Sequence, residues 1–187
     1  MPSFHYNATA MGNVESIAER FPKSARTVKA EDIVAEIERQ LGDLSIDSIY
    51  EKKILSQRTR QYELKAAGKS LKVEVLHTLL GIELKIGNRR LLCPDLATAR
   101  YLSVFAKLGC EVIAVPYDIT QISRLADELE SSWHRMLVLI DHLATDRSER
   151  LKNVVHKRLL THSRAKLEAL GAGTKVPQFN QKTKQRS

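Results

Sequence analysis

Seven apolar residues, Ile122, Leu125, Leu129, Trp133, Met136, Ile140 and Leu143, recur every three or four positions over about six helical turns. A helix this long with one broad apolar face gains little from isolated helix formation, so it needs a body of other elements to cover that face. Thr120 is its expected N-cap, and Trp133 is the largest side chain available to anchor it. A new cap at Thr145 or Asp146 opens a second long helix, with Leu151, Val154, Val155, Leu159 and Leu170 on its apolar side and Gly171 at its end.

The remaining core must come from upstream. Ile33, Val34, Ile37 and Leu41 stand at helical spacing between Thr27, a candidate cap, and Gly42, a natural stop. Ser48-Ile49-Tyr50-Glu51 has the spelling of a capping box and predicts another helix start. Alternation then replaces the helical period. Tyr62, Leu64 and Ala66, then Leu71, Val73 and Val75, predict a hairpin of 61–66 with 71–77 around the turn-like AGKS. Ile82, Leu84 and Ile86 lead through Gly87-Asn88 into Arg89 to Cys93, a second hairpin with a two-residue turn. That turn pairs Ile82 with Cys93, Glu83 with Leu92 and Lys85 with Arg90. LATARYLSVFAKLG, opened by Asp95 and closed by Gly109, is an amphipathic helix, and EVIAVP after it is a short apolar strand.

Strand, helix and strand in that order predict a βαβ unit with parallel strands. The expected fold is therefore α/β, or α+β-like: a small mixed sheet of four or five strands with β-hairpins and one βαβ unit, helices packed on it, and long C-terminal helices. Residues 1–26 read as an N-terminal arm, 27–170 as a single α/β domain including the basic helix, and 171–187 as a disordered basic tail.

Composition narrows the class. Among 187 residues, 43% are hydrophobic and 28% charged, which suits a soluble globular chain. The longest purely aliphatic run, Met136 to Ile140, is far short of the roughly 20 residues of a membrane span, and the start MPSFHYNATAMG has no signal-peptide pattern. A cytoplasmic location is expected. Cys93 and Cys110 fall at the ends of different strands and are not expected to pair. The net charge is +8, but the residues from Arg150 onward carry ten cations against one acid, Glu168, so the first 149 residues sum to −1. The basicity is a property of the C-terminal segment.

If the strand ending at Cys93 and the strand EVIAVP were parallel in such a sheet, their carboxyl ends would share an edge, which is where sites collect in open α/β sheets. Cys93-Pro94-Asp95 and Pro116-Tyr117-Asp118 end there, and the hairpin brings Glu83 to the same edge with Lys85 nearby. Glu83, Asp95 and Asp118 would then offer oxygen ligands for a divalent cation that activates water. The set resembles a PD-(D/E)xK nuclease site over Ile82 to Asp118, and such a resemblance implies metal-dependent hydrolysis. The order departs from that family, because Pro-Asp follows Glu-x-Lys and the Glu-x-Lys strand turns back at Gly87-Asn88; the chain is not assigned to it. The competing explanation treats Asp95 and Asp118 as helix caps and Glu83 as a bridge between the opposed cations Lys85 and Arg90.

No metal or other cofactor is expected. His134 with His142, and His156 with His162, miss the i,i+4 spacing of helical zinc pairs, and neither a Gly-rich phosphate loop nor G-x-S-x-G occurs. The residues expected to act are instead cations: Arg150, Lys152, Lys157, Arg158, Arg164 and Lys166 on the helix, with Lys175, Lys182, Lys184 and Arg186 beyond it. Only Phe179 interleaves the charges of the tail. The expected function is a non-catalytic binding or regulatory protein whose basic helix and tail engage nucleic acid, RNA or DNA. The alternatives are an assembly adaptor, meeting a protein partner or another copy through the face around Trp133 and Met136, and the metal-dependent nuclease-like hydrolase.

Overall fold

The computed structural model describes residues 29–64, 72–145 and 147–172. The arm at 1–26, the candidate caps Thr27 and Asp146, the AGKS segment and the tail beyond Ala172 lie outside the described residues.

Among the described residues, five α-helices and five strands follow in order: α1 (Ala30–Leu41), α2 (Ile46–Ile49), β1 (Thr59–Glu63), β2 (Val73–Thr78), β3 (Gly81–Ile86), β4 (Arg89–Cys93), α3 (Leu96–Leu108), β5 (Val112–Pro116), α4 (Ile119–Leu143) and α5 (Glu149–Ala169). This is the expected mixed α/β architecture, with helices packed on strands and a pair of long C-terminal helices. Its sheets differ from the expectation. There are two small antiparallel sheets, a β2-β3-β4 meander and a β1-β5 ribbon, in place of one mixed sheet.

The meander follows its local signals. Ile82 pairs with Cys93, Glu83 with Leu92 and Lys85 with Arg90, the register dictated by a two-residue turn. Gly87 takes φ 57 there, a left-handed conformation that a β-branched residue would resist. Leu84 and Ile86 face the core from β3, joined by the half-buried Val73, Val75, Ile82 and Leu91.

The ribbon overturns two expectations. β1 does not form a hairpin with β2, and β4 and β5 are not parallel neighbours; β1 pairs with β5 instead, placing Tyr62 opposite Ile113 and Gln61 opposite Ala114. The reason lies at β5, which is buried at every residue and must satisfy its backbone on both edges. Along one edge, Tyr117 N–H donates to Arg58 C=O (3.2 Å) and Leu64 N–H to Glu111 C=O (2.7 Å). The alternate residue Ala114 therefore turns the other way. Its N–H donates to the Tyr50 hydroxyl (3.1 Å), and its C=O accepts from the Tyr101 hydroxyl (2.7 Å). Two phenols stand where a parallel β4 would have to pair. Phe105 packs between them, with ring centroids 5.6 Å from Tyr50 and 5.2 Å from Tyr101.

α3 is the central element. Ala99, Leu102, Val104, Phe105 and Ala106 are completely buried, because the meander covers one side of the helix and α4 another. Its exposed flank is held by Arg100, which reaches Glu130 (2.5 Å) and Asp127 (2.7 Å) on α4. α4 buries Ile122, Leu125, Leu129, Trp133, Met136 and Ile140 as its period requires. α5 lays Val155, Leu159, Leu160 and Leu167 against the same core, whereas Val154 is exposed. Gly42 and Gly109 end α1 and α3 as expected, Gly109 in the left-handed conformation at φ 81.

Three caps sit away from their expected positions. Ser45, not Ser48, opens α2, accepting from Ser48 N–H (3.3 Å), and the helix then widens into a π-turn over Tyr50–Ile54. Asp118, not Thr120, opens α4, and Ser148 opens α5, accepting from Leu151 N–H (3.3 Å). In each case the observed cap, Ser or Asp, is of the same capping class as the expected one and stands two or three positions from it.

Candidate nucleic-acid interface

The acidic residues of the nuclease-like set are each engaged locally. Asp95 accepts from Thr98 N–H (2.7 Å) and Thr98 Oγ1 (2.9 Å) at the start of α3. Asp118 accepts from Thr120 N–H (2.9 Å) and Thr120 Oγ1 (2.7 Å), and those bonds hold its carboxyl below the usual range. Glu83 is 94% shielded on the outer face of the meander, where it takes Thr78 Oγ1 (3.2 Å) and Arg90 Nη1 (3.3 Å). Lys85 turns to Glu74 (3.4 Å). With β4 and β5 in different sheets, the shared edge that would gather the three carboxylates does not exist. Among the described residues no group of three His, Cys, Asp or Glu side chains is arranged to hold a metal ion. Both thiols are free and buried, and burial pushes Cys110 up to about 12, which keeps it protonated and unreactive.

The face around Trp133 and Met136 is internal. Met136 is fully buried and Trp133 nearly so, its ring capped by Lys107 Nζ at 5.5 Å and by the His156 ring at 6.4 Å. Burial lowers the His156 pKa. A cleft of about 260 Å3 opens nearby, lined by Glu38, Asp47, Glu51, Met136, Ser163 and Lys166. Its charges are largely matched already: Lys166 Nζ lies 3.1 Å from Glu38 and 3.9 Å from Asp47, and His162 Nδ1 is 3.1 Å from Glu38.

These contacts divide the cations of α5 into two groups. Arg158 pairs with Glu31 on α1, Lys166 with Glu38, Lys152 with Glu149 (3.3 Å) and Asp141 (3.8 Å), and Arg164 with Glu168 (3.7 Å). Arg158 and Lys166 thereby tie α5 to α1, and their charge is partly spent. Arg150 and Lys157 are exposed and make no ion pair among the described residues, as does Arg147 just before the helix. At 1.5 Å per residue, Arg150 and Lys157 stand roughly 10 Å apart along the axis and two helical turns apart, so they point the same way. Lys175, Lys182, Lys184 and Arg186 lie outside the described residues.

A second cationic group was not among the sequence candidates. Arg58, just before β1, and Arg60 within it stand two positions apart and so share a face, and Tyr117 stands opposite Arg58 at the end of the ribbon. Both guanidinium carbons lie near the Tyr117 ring, at 5.1 Å and 6.0 Å from its centroid. Neither arginine meets a carboxylate among the described residues, and Tyr117 is 55% exposed. The period-two spelling Arg58-Thr59-Arg60 was legible as a charged strand face, but its aromatic partner is 57 positions beyond Arg60 and reaches it only through the β1-β5 pairing. No family model matches the chain, and neither a curated protein nor a solved structure matches it.

Proposed function

We propose that this chain is a non-catalytic, regulatory nucleic-acid-binding protein, and that the cations of α5 left without carboxylate partners make its first contact with phosphate. The observation that carries this reading is the division within α5. Four cations are paired within the fold, while Arg150 and Lys157 project together into solvent; the sequence from 173 to 187 adds four cations and no acid. Unpaired exposed cations keep their full attraction for phosphate, and each phosphate neutralised releases condensed counterions, so affinity falls with salt. Trp133 and Met136 are buried within the fold, which gives the assembly-adaptor reading less support than the cationic one.

Substitution is the proper test, because α5 contributes Val155, Leu159 and Leu167 to the core and its deletion would unfold the protein. Affinity of the full chain for labelled RNA and DNA is followed against salt, beside an Arg150→Gln/Lys157→Gln variant. Removing two phosphate contacts should flatten the slope of log affinity against log salt by roughly 1.4 to 1.8. Binding that is independent of salt, or an unchanged slope in the variant, would reject the proposal.

A further inference from the structure

We propose that Arg58, Tyr117 and Arg60 form a stacking platform for a base of single-stranded nucleic acid, with the two guanidiniums meeting the flanking phosphates. This rests on the preceding reading and adds the substrate class. Three observations converge on it. Tyr117 is 55% exposed and Ile119 64%, so an aromatic and an aliphatic residue face water at the end of the ribbon. The guanidinium carbons of Arg58 and Arg60 lie 5.1 Å and 6.0 Å from the ring centroid, which crowds two like charges around one ring with no carboxylate partner among the described residues. Asp118, the adjacent acid, is already engaged by the Thr120 N–H and hydroxyl at the start of α4.

Two displaceable cations over a solvent-facing aromatic ring match a ligand that repeats a planar ring and an anion, which is the chemistry of a polynucleotide strand. An acidic peptide would satisfy the arginines and leave the ring idle. Duplex bases are stacked on one another and do not present their faces, whereas single-stranded bases do. The arginines on the ring are not an obstacle, because an exposed cation–π contact is weaker than base–aromatic stacking and a displaced guanidinium gains a phosphate. The platform is rigid at its base: Tyr117 N–H donates to Arg58 C=O at 3.2 Å, so the strand pairing that buries β5 also sets the ring against the arginines.

The test uses the full chain, oligouridine, and an RNA duplex of equal length, with wild type, Tyr117→Ala and Tyr117→Phe. Tyr117→Ala should weaken single-strand binding about tenfold and leave duplex binding unchanged, and Tyr117→Phe should bind as wild type. Oligonucleotides carrying 5-iodouracil should photocrosslink to Tyr117. If wild type binds nucleic acid but Tyr117→Ala binds the single strand equally well, or loses single strand and duplex alike, the platform is overturned while the broader reading stands. Loss in Tyr117→Phe as large as in Tyr117→Ala would also overturn it, by assigning the effect to the hydroxyl. Wild type that binds neither nucleic acid would sink both readings.

Discussion

The meander and the ribbon are both antiparallel, yet they depend on different kinds of information. In β2-β3-β4 each strand meets its sequence neighbour, and a two-residue turn sets the β3-β4 register before any tertiary contact forms. In β1-β5 the partners are about fifty residues apart, with the whole meander and α3 between them. The meander keeps one face wet, carrying Glu74, Lys85 and Arg90, whereas β5 is buried at every position. Local pairing thus tolerates partial exposure. The long-range pairing has to recover its larger closure entropy from burial and from the phenols that complete its second edge.

If that contrast is right, truncating the ribbon should be the more damaging change. Ile113→Ala removes a buried side chain opposite Tyr62 and should cost about 3 kcal/mol in urea unfolding, while Leu92→Ala on the exposed face of β4 should cost less than about 0.5 kcal/mol. Equal losses would erase the distinction. A finer test removes only the phenol oxygens. Tyr50→Phe or Tyr101→Phe leaves one polar group of Ala114 without its partner in the core, and each should cost about 1–2 kcal/mol. A silent double variant would show that β5 does not need its second edge completed. The meander has its own weak point at the turn. Gly87→Val forces a β-branched residue into positive φ and should cost about 1 kcal/mol, with the ribbon's amide-exchange protection preserved up to the global opening limit.

The proposed interface divides along the same line. Arg150 and Lys157 were visible as charges in the basic segment, and their common orientation follows from helical spacing alone. Which cations would be spent was not visible, since Arg158 and Lys166 find Glu31 and Glu38 on a helix more than a hundred residues upstream. The nuclease-like set failed as a convergence for a related reason. Its logic required β4 and β5 to share an edge, and the hydroxyls of Tyr50 and Tyr101 occupy the place where β4 would have paired. Glu83 nevertheless meets Arg90, as the diagonal of a two-residue hairpin requires.

Periodicity, turn chemistry and strand alternation were enough to establish the helices α1, α3, α4 and α5, the β3-β4 register to the residue, and the concentration of charge after residue 149. These are local consequences of backbone geometry, in which neighbours along the chain are neighbours in space. The partner of β1, the choice of which α5 cations are paired, and the meeting of Arg58 and Arg60 with Tyr117 were decided by the tertiary structure. They depend on which distant surfaces can desolvate together while leaving no buried peptide group unpaired, a condition on the whole packed chain that no short stretch of sequence contains.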